Sequence, residues 1–318
     1  MILCHSRLVR EDGESKSLNR GRRGVRYVYY TEEGSSRSLD RVNDAIRPRR
    51  YQKGADCSYA LGVFPTFELL KHRPAEATGV WLRSLGERNE GVAQIRQRCQ
   101  RLGIPCEVDD RLMERLAPME NCYALGAFRL YHAPLHTTAP HLLLVHPDDL
   151  GNLGTIARTM VGFGWFDLAI VRPAPDLFHP KAIRASMGAI FQLRIQYFPN
   201  FQNYNQAFPR PLFPFCTNGD VDLCDAHFPS SCTLAFGHEG AGLPQEVTRL
   251  GSGVRIRFLP TVDSISLPVS VGIALYHATQ AKECTHRSRA EEAWPEKPGS
   301  AQVSLLSKKS IVAGDPSG

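Results

Sequence analysis

The chain has 318 residues, 42% hydrophobic and 22% charged, with a formal net charge of +6. That is enough apolar material for two compact domains of roughly 100–200 residues each plus tails. No stretch approaches the roughly 20 apolar residues of a membrane helix, and the opening Met1–His5, soon followed by Arg7 and Arg10, is too short for a signal-peptide core. A soluble, cytoplasmic protein is the expectation, with no membrane partner.

Nine cysteines are scattered and form no C-x-x-C pair, so free thiols are expected and no zinc framework is visible. His132, His136, His141 and His146 crowd one span at spacings that match no ligand motif, and no metal is expected.

The basic excess is local. Residues 1–56 carry 13 Lys/Arg against 8 Asp/Glu, residues 285–318 carry 5 against 4, and the middle is balanced. The arm at 1–56 mixes Arg, Gly, Ser and Glu and reads as loosely ordered, with one candidate strand at 25–30. Its arginines, Arg22, Arg23, Arg49 and Arg50 among them, suit a phosphate backbone; a solvated tail fits the composition equally well.

A first α/β unit spans 57–133. Pro65 suits the first turn of a helix through Phe67, Leu69 and Leu70. Val80-Trp81-Leu82 reads as a buried strand. Ile95, Cys99 and Leu102 recur at helical spacing, stopped by Gly103 and Pro105. Asp109 can cap a helix through Leu112, Met113 and Leu116, and Tyr123–Tyr131 returns as a strand. Residues 132–140 are a linker by composition.

A second unit spans 141–283. Leu142–Val145 is a continuous apolar strand, as in parallel sheets. A helix is expected from about Gly154 to before Gly164. Strands follow at Leu168–Val171, Thr233–Phe236 and Val254–Phe258, and a helix at about 267–283. The tail from 285 is rich in Ser, Pro and charge, and disorder is expected there.

Three segments following buried strands carry the candidate chemistry, because ligands bind at that edge of open α/β sheets. In Asn152-Leu153-Gly154-Thr155-Ile156-Ala157-Arg158, Gly154 is expected to turn the backbone into a helix and Arg158 to sit about one turn in, able to clamp a phosphate. In Gly237-His238-Glu239-Gly240-Ala241-Gly242, glycines invite a ligand onto the backbone and Glu239 places a carboxylate that backbone N–H groups could hold. No Lys-Ser/Thr follows, so this is no P-loop. The third, Asp263–Ser270, opens a helix of small and apolar residues suited to close packing within the domain or against a second subunit.

Together, in this order, the three resemble the motifs of the SpoU (TrmH-like) RNA 2′-O-ribose methyltransferases of the SPOUT superfamily. N-x-G-x-x-x-R is matched by Asn152, Gly154 and Arg158, and G-x-E-x-x-G by Gly237, Glu239 and Gly242. The third motif is S-L-N before a helix ending in Tyr. Ser264 stands twelve residues before Tyr276, so Ser264-Ile265-Ser266 takes that register, with Ser266 where Asn is usual. The likeness covers 141–283. More weakly, 57–133 resembles the small RNA-binding domain, of a ribosomal-protein-like fold, that precedes many such catalytic domains.

The resemblance implies a trefoil-knotted α/β methyltransferase domain behind a small α/β RNA-binding domain, dimerising through the knot region. It implies S-adenosylmethionine held by Gly237, Gly242, Ile256, Ile265 and Leu267, and a structured tRNA or rRNA as substrate. It makes Arg158 the catalytic residue, stabilising the forming alkoxide as well as touching RNA. Asn152 would orient Arg158, Glu239 would hold the loops or pair with a basic neighbour, and Ser264 and Ser266 would bond near the cofactor and Arg158. Two other readings stay open: an RNA-binding protein that keeps this fold without catalysis, and a SPOUT enzyme that methylates a base.

Overall fold

The computed structural model describes residues 48–119 and 121–286. Arg22, Arg23, the candidate strand at 25–30 and the tail beyond 286 lie outside the described residues.

The first sheet is built by β1 (Cys57–Leu61), β2 (Ala77–Leu82), β3 (Cys106–Val108) and β4 (Ala124–Arg129), in the order β1-β4-β2-β3. Strand β4 is antiparallel to both neighbours and β2 is parallel to β3. Helices α1 (Val63–His72), α2 (Glu90–Leu102) and α3 (Asp110–Leu116) connect them. Local chemistry sets their ends. Asn89 caps α2 by accepting from the Val92 amide at 3.3 Å, and Gly103 ends it at φ +68°. Asp109 caps α3, accepting from Leu112 at 2.9 Å. Ile95 and Cys99 of α2 pack on Leu70, Val80 and Leu82 on one face of the sheet, while Met113 of α3 packs with Tyr59 and Leu125 on the other.

The second sheet is wholly parallel, in the order β7-β6-β5-β10-β8. Its strands are β5 (His141–Val145), β6 (Asp167–Val171), β7 (Arg194–Phe198), β8 (Leu212–Pro214) and β10 (Thr233–Phe236). A separate parallel pair joins β9 (Val221–Asp222) to β11 (Val254–Arg255). The helices are α4 (Leu150–Gly162), α5 (Pro180–Ala185), α6 (Phe201–Ala207), α7 (Gln245–Thr248) and α8 (Leu267–His286). Both faces of the sheet are covered, which is why β5 reads as an unbroken apolar run. Leu142 and Leu144 face the cluster containing Ile156, Met160, Val271 and Leu275; Leu143 and Val145 face Phe201 and Tyr204.

One end of this sheet is sealed by a polar row. Thr233, His141, Asp167 and Arg194 are register neighbours on four adjacent strands. The His141 ring bonds Tyr204 Oη at 3.0 Å and the His136 carbonyl at 2.7 Å, while Arg194 grips Asp167 at 2.7 and 2.6 Å. Asp167 also accepts from the His136 amide at 2.8 Å, so the 132–140 connection is tied to the sheet.

The two sheets share a core. Ala60, Leu69 and Phe128 of the first belong to the same buried cluster as Leu142, Ile170 and Phe191 of the second. Phe128 meets Phe178 and Phe191 edge-on at 6.0 and 5.1 Å, Ser58 Oγ donates to the Phe178 carbonyl at 2.5 Å, and Arg73 donates to the carbonyls of Phe191 and Leu193.

Three expectations need correcting. Helix α4 begins at Leu150, so Gly154 lies inside it and makes no turn. Arg158 therefore stands more than two turns from the start. The strand expected at 254–258 ends at Arg255, because β9 offers only two residues to pair with it. Among the described residues no helix is long and apolar enough to cross a membrane.

Candidate active site

Strands β6 and β7 lie on one side of β5, and β10 and β8 on the other. The chain's direction of growth thus reverses between β5 and β10, and a crevice opens at their carboxyl ends. The first motif lies in the opening turns of α4, just after β5, and the second in the loop that leaves β10.

After β5, Asp149 caps α4: its Oδ1 accepts from the Asn152 amide at 2.7 Å. Its other oxygen lies 4.0 Å from Lys181 Nζ at the start of α5. After β10, the chain closes on itself, with reciprocal backbone bonds between His238 and Gly242 of 3.2 and 2.8 Å. Gly237 is required by that closure, since a Cβ there would stand 2.1 Å from the Gly242 carbonyl carbon. Gly242 is required by its φ of +69°, while the space beyond it is open.

Two side-chain links stitch the loops together. Asn152 Nδ2 donates to Glu239 Oε1 at 2.9 Å, and His238 Nε2 meets Asp148 Oδ2 at 3.1 Å. Asn152 is therefore bonded to Glu239 and not to Arg158, correcting the orienting role expected for it. The backbone amides that Glu239 was expected to attract go instead to His238 Nδ1, which accepts from Gly240 and Ala241 at 2.9 and 3.1 Å. With Nδ1 an acceptor, the ring proton sits on Nε2 and points to Asp148. Asp148, His238 and Glu239 offer ligand atoms within 4.8 Å of one another, but this tautomer leaves the imidazole no lone pair for an ion. Of the histidines at 132–146, His141 already commits both ring nitrogens to hydrogen bonds.

Arg158 is exposed on α4 and makes no hydrogen bond or ion pair among the described residues. Its helix is held on both sides. Gly154 lies against α5, where a Cβ would stand 2.5 Å from the Ala182 carbonyl oxygen, and α8 crosses at Gly272, whose Cβ would meet Thr159 at 3.7 Å.

The chain at 255–257, which leads toward the third segment, is anchored by Asp222. This buried carboxylate accepts from Arg255 Nε at 2.5 Å and also pairs with Arg257. The two guanidiniums, Arg257 foremost, hold its pKa down at about 2. Because residues 255 and 257 both turn to Asp222, Ile256 between them faces the other way and packs half-buried on the main core. Ser264 and Ser266 are exposed, Ile265 is half-buried, and the Leu267 side chain is buried in the core. Leu267 thus offers its backbone, not its side chain, to a ligand. The amides of residues 240–242 are all spent on His238, so this stretch offers an adenosyl group carbonyl oxygens and glycine backbone, and Ile256 and Ile265 offer half-buried apolar side chains.

Arg49 and Arg50 lie exposed where the described chain begins, the Arg49 amide donating to Tyr59 Oη at 2.9 Å. Sequence reasoning missed Asp148, Asp149, His238 and Asp222. Asp149 was legible as a cap three residues before Asn152; the rest are partners across the fold.

A wholly parallel five-stranded sheet with two stitched loops at its reversal point defines a ligand-binding α/β domain. Residues 139–276 match the family model described as the SpoU rRNA Methylase family. It is 30% identical over 148 residues to "Ribosomal RNA small subunit methyltransferase G 2" of Syntrophobacter fumaroxidans, covering 46% of this chain and 29% of the relative. It is 30% identical over 110 residues to "23S rRNA (uridine(2479)-2'-O)-methyltransferase" of Streptomyces viridochromogenes, covering 32% and 38%. The fold matches that of the SpoU methyltransferase AviRb from Streptomyces viridochromogenes, solved in complex with AdoMet, at a TM-score of 0.62 and 20% identity, over 72% of this chain and 91% of that one. The chain spans 29% to 52% of the length of the first curated relatives it matches.

Proposed function

We propose that this protein transfers a methyl group to a ribose 2′-hydroxyl of tRNA or rRNA. The observation that carries the reading is the Asn152–Glu239 hydrogen bond, 2.9 Å long. It ties the first and second motifs together across the switch point, beside bare glycine backbone. S-adenosylmethionine, when bound, supplies an electrophilic methyl on a sulfonium. Gly237, Gly242, Ile256, Ile265 and the Leu267 backbone would hold it, with Ser264 and Ser266 at its edge and no metal.

A ribose hydroxyl is a poor nucleophile near neutral pH and needs its developing charge met. Arg158 serves that role. It is exposed, makes no hydrogen bond or ion pair among the described residues, and is carried on a helix braced against α5 and α8. An arginine is a poor base because its guanidinium holds its proton so tightly, so the role is to stabilise the alkoxide. The reading includes a trefoil knot around the third segment, a cytoplasmic location and a homodimer over α8, where Val269, Ile273 and Tyr276 are exposed by 47%, 38% and 56%. Arg49 and Arg50, ahead of the first sheet, would receive RNA backbone.

The test is Arg158→Ala. Loss of one such donor typically slows chemistry on the order of 100–1000-fold, while calorimetric affinity for S-adenosylhomocysteine should hold within a few fold. Near-normal 2′-O-methylation by the folded variant would remove Arg158 from the mechanism, and a methylated base in the nucleoside digest would replace the ribose assignment.

A further inference from the structure

We infer that a hollow beside the first sheet binds a single-stranded nucleotide of the RNA, flanking the one that is modified. The inference rests on the RNA reading above and adds a second binding point, remote from the methyl-transfer crevice.

The hollow measures about 180 Å³ and is lined by apolar Leu61, Leu116, Pro118 and Pro180 together with Tyr51, the largely buried Tyr59, Arg50 and Arg115. A second hollow of about 330 Å³ adjoins it, sharing both arginines and adding Arg49. Among the described residues no carboxylate lines either. The first is smaller than the roughly 300–1,000 Å³ that receives a drug-sized ligand, which suits one ring and not two.

The parts are held in place. The Tyr51 hydroxyl donates to Asp176 at 2.5 Å and its ring meets the His179 ring edge-on at 4.8 Å. Arg115 donates once, to the Pro48 carbonyl at 3.2 Å, which leaves most of its five N–H donors free. Arg50 makes no hydrogen bond or ion pair among the described residues. The fixed, part-exposed Tyr51 ring beside apolar side chains, with unspent guanidiniums on Arg50 and Arg115, matches a nucleobase and its phosphate. Base stacking on an aromatic ring discriminates little by itself, the small volume selects a one-ring pyrimidine, and arginine grips the phosphate.

The hollow also lies on a path to the crevice. Pro180 lines it, Lys181 follows directly, and Lys181 Nζ lies 4.0 Å from the Asp149 that caps α4 ahead of Asn152. A strand laid from the first hollow toward the crevice thus passes a lysine.

The experiment photocrosslinks a single-stranded oligoribonucleotide bearing 4-thiouridine to the full chain, maps adducts by mass spectrometry, and measures affinity across a salt series. Adducts should fall on peptides containing Tyr51, Tyr59 or Pro118. Arg50→Ala with Arg115→Ala should remove them, weaken binding about tenfold, and lower the salt slope by about 0.7 for each phosphate no longer neutralised. Arg50→Ala alone, at an exposed and unpartnered side chain, should give part of the effect with an unchanged melting temperature, which guards against a folding artefact of the pair. Adducts confined to other peptides, with both variants binding within twofold of the parent, would overturn the inference. Binding of S-adenosylhomocysteine is scored separately. Its failure would sink the methyltransferase reading and leave a mapped nucleotide hollow standing; its success without adducts here would do the reverse.

Discussion

Replacing Gly154 by alanine should do the opposite of what helix propensity dictates. In an open helix interior, alanine is better than glycine by about 1 kcal/mol. At Gly154, however, the added Cβ would stand 2.5 Å from the Ala182 carbonyl oxygen, 2.5 Å from Ala185 Cβ and 2.9 Å from the Ser186 amide nitrogen. Non-bonded carbons settle at about 3.5–4.0 Å, so α4 and α5 must part by about 1 Å. Two of the three obstacles are backbone, held by the Ser186 to Ala182 hydrogen bond of 2.9 Å, and cannot rotate aside. Overpacking of this kind costs about 3 kcal/mol at the upper end of its usual range, leaving a net loss of about 2 kcal/mol after the propensity gain.

For a chain of this size that lowers the melting temperature by about 4–8 °C, read by circular dichroism. The control is Gly162→Ala in the same helix, where a Cβ meets nothing within 4 Å; it should leave stability level or slightly raised. The parting of α4 from α5 should also strain the Asn152–Glu239 bond and weaken S-adenosylhomocysteine binding. If Gly154→Ala melts as high as Gly162→Ala, the close packing of α4 on α5 is wrong.

Glu239→Ala should raise the calorimetric Kd for S-adenosylhomocysteine roughly fivefold by unstitching the loops, whereas Glu239→Gln keeps an acceptor for Asn152 and should stay within twofold; equal losses in both would mean that charge, not the bond, matters. Asp222→Asn should raise KM for the methyl donor about tenfold with kcat nearly held, because two arginines lose the anchor that turns Ile256 inward; a fall in kcat alone would contradict that role. Acid should destabilise the protein through His141, whose pKa burial lowers from 6.5 to about 4. A depressed histidine favours the neutral form in the folded state, so its contribution is complete above pH 6.5 and is lost as pH falls toward 4, by roughly 3 kcal/mol. Urea unfolding at pH 7, 5.5 and 4 should show that loss in the parent and not in His141→Leu, and an NMR titration placing His141 near 6.5 would exclude it.

The parts of this fold that were legible in the sequence are those set by neighbours along the chain. Asp109 and Gly103 announced helix ends because capping is a local hydrogen-bond problem. The apolar run of β5 announced a sheet covered on both faces. The site was legible as residue spacing, but its wiring was not. Asn152 and Glu239 are 87 residues apart and Asp222 and Arg255 are 33 apart, and which polar groups meet depends on strand order. The start of α4 was misplaced because Gly154 looked like a turn residue, when its smallness serves the close approach of α5. The strand expected to reach Phe258 stopped early because pairing, not β-propensity, sets where it ends.

The core shared by the two sheets has a mechanical consequence. With Phe128 wedged between Phe178 and Phe191, and Arg73 gripping the carbonyls of Phe191 and Leu193, no hinge separates the arginine-lined hollow from the helix that carries Arg158. The two behave as the jaws of a fixed gauge. On the proposed reading, an RNA that bends to present two nucleotides at that one separation would be accepted, and one of identical sequence with a different bend would not. Substrate choice would then be written in the shape of the RNA, and could be changed by altering its curvature while leaving every base in place.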